Sequence, residues 1–169
     1  TVFTPTYNRA HLLSRVYNSL KRQTFRNFEW LIVDDGSTDN TGDVVAGLQK
    51  ENAITIRYYR QENAHKKVAF NRAVREAQGE FFLPLDSDDE LLPEALEVLF
   101  GYWRRIPDHE RHRFAGVTGL SIDPNGHVVG SRVPTARVPG VHGAPRGRGG
   151  RDRRVDGPHH RVAGGRGLV

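Results

Sequence analysis

The stretch Trp30-Leu31-Ile32-Val33-Asp34-Asp35-Gly36-Ser37-Thr38-Asp39 passes without a break from four apolar residues into a polar turn. A short continuous apolar run is the pattern of a strand buried on both faces of a parallel sheet. Asp, Gly and Ser directly behind it end the strand in a turn. Ahead of it, Thr1–Thr4 opens as a short strand already under way at the first residue, so natural residues are expected before Thr1. Residues 9–23 follow with Leu12, Leu13, Val16, Tyr17 and Leu20 at helical spacing. Beyond the turn come a helix over 41–50, a strand over 54–59, a helix over 67–77 and a strand over 81–85. A helix over 94–104 comes next, with Pro93 well suited to its start. Strand and helix alternate four times, which predicts an α/β fold: an open sheet flanked by helices, mainly parallel in its first half.

Length and charge bound the class. A chain of 169 residues suits one domain. It lacks cysteine, so disulfides and thiolate metal sites are excluded, and any metal must use oxygen or imidazole ligands. No apolar run approaches the about 20 residues of a membrane helix, and the first residues lack the charged-then-apolar build of a signal peptide. The expectation is a soluble cytoplasmic protein, with peripheral membrane attachment left open. The net charge of +5 divides unevenly: residues 133–169 carry eight Arg and two Asp, a net of +6, which leaves −1 for residues 1–132. A basic pI that belongs to the tail gives no support for nucleic acid as a partner. The tail is rich in Gly, Pro and Arg, has no aromatic residue, and shows no period. It is expected to be a disordered segment, 133–169, behind a folded domain at 1–132. All its residues except Thr135 have codons beginning with G or C, so a shifted reading frame in a GC-rich gene is a second explanation of its composition.

In an open α/β sheet, ligands bind at the carboxyl ends of the strands. Three polar clusters fall there: Thr4-Pro5-Thr6-Tyr7-Asn8-Arg9, Asp34-Asp35-Gly36-Ser37, and Asp86-Ser87-Asp88-Asp89. Three carboxylates within four residues repel one another unless a cation offsets them. Mg²⁺ or Mn²⁺ would do so while keeping positions open for substrate phosphates. The alternative is that Asp88, Asp89 and Glu90 cap the helix that follows. Asp34 to Asp39 is explained by turn chemistry alone, or by a carboxylate accepting hydrogen bonds from a base or ribose. Neither GxGxxG nor GxxxxGK[ST] occurs, which argues against a dinucleotide-dependent dehydrogenase or a P-loop NTPase. Lys66 and Lys67 could supply charge to a diphosphate or simply be solvated. Trp30, Phe81 and Trp103 are expected in the core, and the histidines form no ligand spacing.

Together the clusters resemble the inverting family 2 glycosyltransferases, whose nucleotide-sugar domain has the GT-A fold. The resemblance covers about residues 1–130. It rests on Thr4 to Arg9, Ser19-Leu20 with Gln23-Thr24, Val33 to Asp39, Lys66 to Ala73, and Asp86-Ser87-Asp88-Asp89. It implies a nucleotide-sugar donor, with a UDP-sugar the family-level choice, at Thr4, Pro5, Tyr7, Asp35, Lys66, Asn71, Asp86, Ser87 and Asp88. Tyr7 and Asp35 would border the base and ribose. Asp86 and Asp88 would form the DxD element that holds Mn²⁺ or Mg²⁺, with Asp89 sharing that role.

The implied reaction is a single displacement at the anomeric carbon. An acceptor hydroxyl on a saccharide, lipid carrier or protein attacks while the diphosphate leaves, and a general base takes the proton. No base is identifiable. Residues 114–129 read as a strand and hairpin turning at Pro124-Asn125-Gly126, and Asp123 reads as a turn residue. Nucleotide binding is therefore expected more firmly than turnover, a non-catalytic binder or a nucleotidyltransferase being the alternatives. A missing acceptor half would leave a face or edge exposed and favour a homodimer.

Overall fold

The computed structural model describes residues 1–123 and 125–129, and the backbone of 161–163. Its first sheet is four-stranded and wholly parallel, in the order β3-β2-β1-β4. The strands are β1 (Val2–Thr6), β2 (Glu29–Asp34), β3 (Thr55–Arg60) and β4 (Leu83–Pro84). Helices α1 (Ala10–Lys21), α2 (Thr41–Glu51) and α3 (His65–Glu76) connect them. β2 lies inside the sheet and is buried at all six positions, as its unbroken apolar run predicts.

Alternation along β1 and β2 assigns their side chains to two layers. Val2, Trp30 and Ile32 face one side, where Leu13, Val16, Tyr17 and Leu20 of α1 and Val45 and Leu48 of α2 meet them. Phe3, Leu31 and Val33 face the other and pack on Ala69 and Ala73 of α3. Small alanines let α3 approach the sheet closely, and Phe82 stacks on Phe3 at 5.5 Å beside them. Trp30 is fully buried and its Nε1 donates to Thr4 Oγ1 at 2.9 Å. Thr4 is thus a buried partner of the core, outside the cleft where the sequence places it. The reason is strand alternation, which turns Thr4 to the α1 side while Pro5 faces the opposite one.

β4 is two residues long, against the five expected. It touches only β1 among the described strands, through Leu83 N to Thr1 O at 2.9 Å and Leu85 N to Phe3 O at 2.8 Å. Pro84 lies between them on the outward side, where an edge strand tolerates a missing N–H. The acidic run then enters β5 (Glu90–Leu91), and α4 spans Ala95–Arg105. Glu94 precedes that helix without a side-chain cap. Glu90 pairs with Arg15 at 2.8 Å and Arg22 at 3.4 Å.

A 3₁₀ turn at Asp108–Arg113 leads to β6 (Leu120–Ile122) and β7 (Val128–Val129), an antiparallel hairpin. The turn keeps Asn125 and Gly126 as expected, and Pro124 lies outside the described residues. Asp123 Oδ1 accepts from Asn125 N and His127 N at 2.9 and 2.8 Å, which makes it a turn residue. β8 (Arg161–Ala163) runs between β5 and β6. At those three residues the chain is a strand, unlike the disordered tail expected, because pairing on both sides draws on backbone groups alone. The rest of that expectation falls outside the described residues.

Glu29 joins several elements at the start of β2. It accepts from Thr1 Oγ1, from Gln78 N at 2.8 Å and from Arg57 Nη1 at 3.1 Å, and is 8% exposed. Burial pushes its carboxyl up, but these hydrogen bonds and the Arg57 charge outweigh it and hold the group below its ordinary value. A lowered folded-state value stabilises above the unfolded value and is lost as pH falls through the folded one. Glu29→Gln should cost about 1–3 kcal/mol at neutral pH, and urea titrations should show the gap to wild type closing below about pH 4.5. Thr4→Val should cost about 1–3 kcal/mol by orphaning the indole N–H, and the Thr4→Val/Trp30→Phe pair should cost less than the sum of the two singles.

Candidate functional site

Parallel pairing puts the carboxyl ends of β1 and β2 side by side, with Thr6 opposite Asp34. The loops that leave them are cross-linked. Asn8 N donates to Ser37 Oγ at 2.9 Å, and Asn8 Oδ1 accepts from Thr38 N at 2.7 Å. Asp39 reaches back to accept from Ala10 N at 3.1 Å, placing a carboxylate at the positive end of α1, which has no side-chain cap of its own. Hydrogen bonding to Thr41 is the main reason that the Asp39 carboxyl sits below its ordinary value. Asp34 turns inward, accepting from Ser37 N at 2.8 Å and from the Tyr58 hydroxyl. Burial and that bond push the Tyr58 phenol well up.

Asp35 is 6% exposed and faces the third strand end. Its Oδ1 accepts from Gln61 Nε2 at 2.8 Å and from Ala64 N at 3.0 Å, while the residue lines the cleft. Gly36 makes this approach possible. Its φ is +85°, and a Cβ there would stand 2.9 Å from the backbone nitrogen of Asn63.

The fourth strand end carries the acids. Ser87 is buried, and Asp86 and Asp88, its neighbours in sequence, line the same cleft. Lys66 Nζ bridges both oxygens of Asp86 at 2.7 and 2.8 Å. Arg9 Nη1 lies 3.2 Å from Asp88 Oδ2 and 3.2 Å from Ser87 Oγ. The segment behind the acids is fixed to α1 by a buried amide. Gln23 Nε2 donates to Ser19 O at 3.1 Å and Leu92 O at 2.8 Å, and its Oε1 accepts from Leu96 N at 3.1 Å.

Pro5, Thr6, Tyr7, Arg9, Asp35, Lys66, Ala69, Asp86, Ser87 and Asp88 enclose one cleft of about 390 Å³, a size suited to a small ligand. Of the residues named from sequence, Pro5, Tyr7, Asp35, Lys66, Asp86, Ser87 and Asp88 meet there. Thr4 does not, and neither does Asn71, an exposed residue on α3. Asp89 is outside the lining, its N–H bonded to Asp86 O at 3.0 Å. Arg9 and Gln61 are not among the site residues named from sequence: Arg9 sits inside the Thr4 to Arg9 cluster, and Gln61 follows β3, whose end belongs to none of the three clusters. Thr6 also lines the cleft, 3% exposed, and its hydroxyl has no hydrogen-bond partner.

Among the described residues no group of three or more acids and histidines gathers as a metal site. The expected triad reduces to two carboxylates, and their repulsion is already offset by Lys66 and Arg9. Two hard ligands at an open cleft still fit Mg²⁺ or Mn²⁺ of the kind that completes its shell with water and phosphate oxygens.

Parallel sheet and strand-end cleft define an α/β domain of the GT-A kind. The glycosyl transferase family 2 profile matches residues 1–118, and the chain belongs to that family. It is 39% identical over 101 residues to a GalNAc(5)-diNAcBac-PP-undecaprenol beta-1,3-glucosyltransferase of Campylobacter jejuni, a match covering 59% of this chain and 32% of that protein. The chain therefore spans about a third of that relative's length. In structure it resembles S. aureus TarS 1-349, with a TM-score of 0.60 at 28% identity over 78% of this chain and 38% of that one. TarS has been solved with UDP and with UDP-GlcNAc. A mannosyltransferase of Pyrobaculum calidifontis in complex with GDP-Man and Mn2+ matches at a TM-score of 0.50 and 31% identity, over 52% of this chain and 26% of that one.

Gly36→Ala should destabilise the chain by about 1–2 kcal/mol from the left-handed backbone alone, and by more if Asn63 cannot move. Thermal unfolding reads the loss, and a wild-type melting temperature in the variant would contradict the close approach of the two loops.

Proposed function

We propose that this chain is the donor-binding part of a metal-dependent inverting glycosyltransferase, which takes a sugar from a UDP-sugar to an acceptor hydroxyl. The observation that carries the reading is the convergence of Asp35, Lys66, Asp86 and Asp88, from two strand ends and a helix start, on one cleft. Asp35, anchored through one oxygen, offers the other to an N–H or hydroxyl of base or ribose, and Tyr7 flanks it, 47% exposed. Asp86 and Asp88 would hold Mn²⁺ or Mg²⁺. When bound, that ion supplies Lewis-acid stabilisation of the departing diphosphate. Lys66 and Arg9 bring two positive charges to the same leaving group.

The acceptor side is assigned to no described residue. All three carboxylates of the cleft lining have donor-side roles, and Asp123 is committed to its turn. That observation favours, as a second reading, a module that binds donor without transferring sugar by itself. UDP, GDP-Man and the lipid-linked acceptor in the relatives' names support the substrate class: a nucleoside-diphosphate sugar, with a saccharide on a lipid carrier as the acceptor of the full-length enzyme. Such an acceptor fits a protein working at a membrane surface, although no helix among the described residues is long and apolar enough to cross one.

Calorimetric titration of UDP should show binding that needs Mn²⁺ and that weakens in Asp88→Asn by at least about tenfold, the lower end of what losing a metal-supporting residue costs. Binding unchanged by Mn²⁺ and by the substitution would overturn the assignment of the acids.

A further inference from the structure

Asp86 and Asp88 are each already paired, and the partners come from opposite walls of the cleft. Arg9 stands between β1 and α1, and Lys66 stands at the start of α3. Each follows a non-glycine residue of left-handed backbone, Asn8 at φ 53° and His65 at φ 71°. That conformation is uncommon outside glycine and costs free energy. It turns the chain at the point where each cation leaves the backbone. Asn8 is held there by the bonds its side chain makes to the Ser37–Asp39 loop.

The pairs are geometrically close but open to water. Side-chain exposure is 45% and 35% for Arg9 and Asp88, and 64% and 42% for Lys66 and Asp86. Ion pairs this exposed contribute little stability, so they are easily exchanged. The cleft lining carries three aspartates against one arginine and one lysine, a formal charge of −1. A divalent ion entering alone must displace two like charges from their carboxylates, and it leaves the cleft at +1. A diphosphate entering with it supplies oxygens for both displaced side chains.

We propose that Arg9 and Lys66 are exchangeable counter-ions: they occupy the acid pair in the free protein and pass to the diphosphate when a divalent cation takes their place. The inference rests on the donor-site reading and deepens it. It makes cation and nucleotide bind as a coupled pair, each weakly alone, with reciprocal coupling. It also gives Arg9 and Lys66 opposite effects on two ligands, which a merely structural role does not.

The test measures Mn²⁺ affinity of the whole chain from the loss of the free-ion EPR signal, without nucleotide, and UDP affinity by calorimetry at saturating Mn²⁺. Lys66→Ala and Arg9→Ala should each bind Mn²⁺ alone about three- to tenfold more tightly than wild type, because a competing charge has gone. Both should bind UDP with Mn²⁺ about three- to tenfold more weakly, having lost a phosphate partner. Lys66→Arg and Arg9→Lys should restore wild-type behaviour in both measurements, and circular dichroism should show all four variants folded. Mn²⁺ affinity that is unchanged or weakened in both alanine variants overturns the exchange, whatever the nucleotide does. A wild-type chain that takes up no UDP at any Mn²⁺ concentration overturns the donor reading instead, while the Mn²⁺ measurement still decides whether the cations compete.

Discussion

The constraint on which the rest depends is the burial of β2 on both faces. Trp30 and Ile32 need α1 and α2 on one side, and Leu31 and Val33 need α3 on the other. Once those layers form, β1 and β3 lie parallel beside β2, and all three strands run out in the same direction. Every loop that carries a polar cluster then leaves the sheet at one edge. The site follows from the core: the same alternation that buries Leu31 and Val33 turns Pro5 to the α3 side, where it lines the cleft with Ala69.

Much of this was legible because it depends on patterns that survive in one dimension. The apolar run of Trp30 to Val33 and the helical spacing of Leu13, Val16, Tyr17 and Leu20 set the order of the elements through α4. The strand-end rule then selected the Asp35 and Asp86–Asp88 clusters. What remained hidden depends on which face a side chain takes. Thr4 and Pro5 are adjacent in sequence and lie on opposite sides of the sheet, so a motif that names both gives one to the core and the other to the cleft. β4 keeps two residues of an apolar run that reads as a full strand over 81–85.

Electrostatics within the cleft had the same limitation. The sequence shows three carboxylates in four residues and no cation beside them, which leaves a metal or the capping of the following helix to account for them. The fold brings Arg9 from 79 positions upstream of Asp88 and Lys66 from 20 positions upstream of Asp86. The relief is therefore internal, and the case for a divalent ion passes from charge repulsion to the chemistry of hard oxygen ligands facing an open cleft. Asp89, the third acid, is held by the backbone turn outside the lining.

Pro84 also bears on how the molecule meets copies of itself. A sheet margin ordinarily offers a row of amides and carbonyls that another chain can extend, and this is a common route to fibrils and precipitates. Along β4 the inward positions Leu83 and Leu85 are already bonded to β1, and the outward position between them has no N–H to give. The proline ring therefore blunts this side of the sheet as a template, while pairing to β1 continues past it through Leu85.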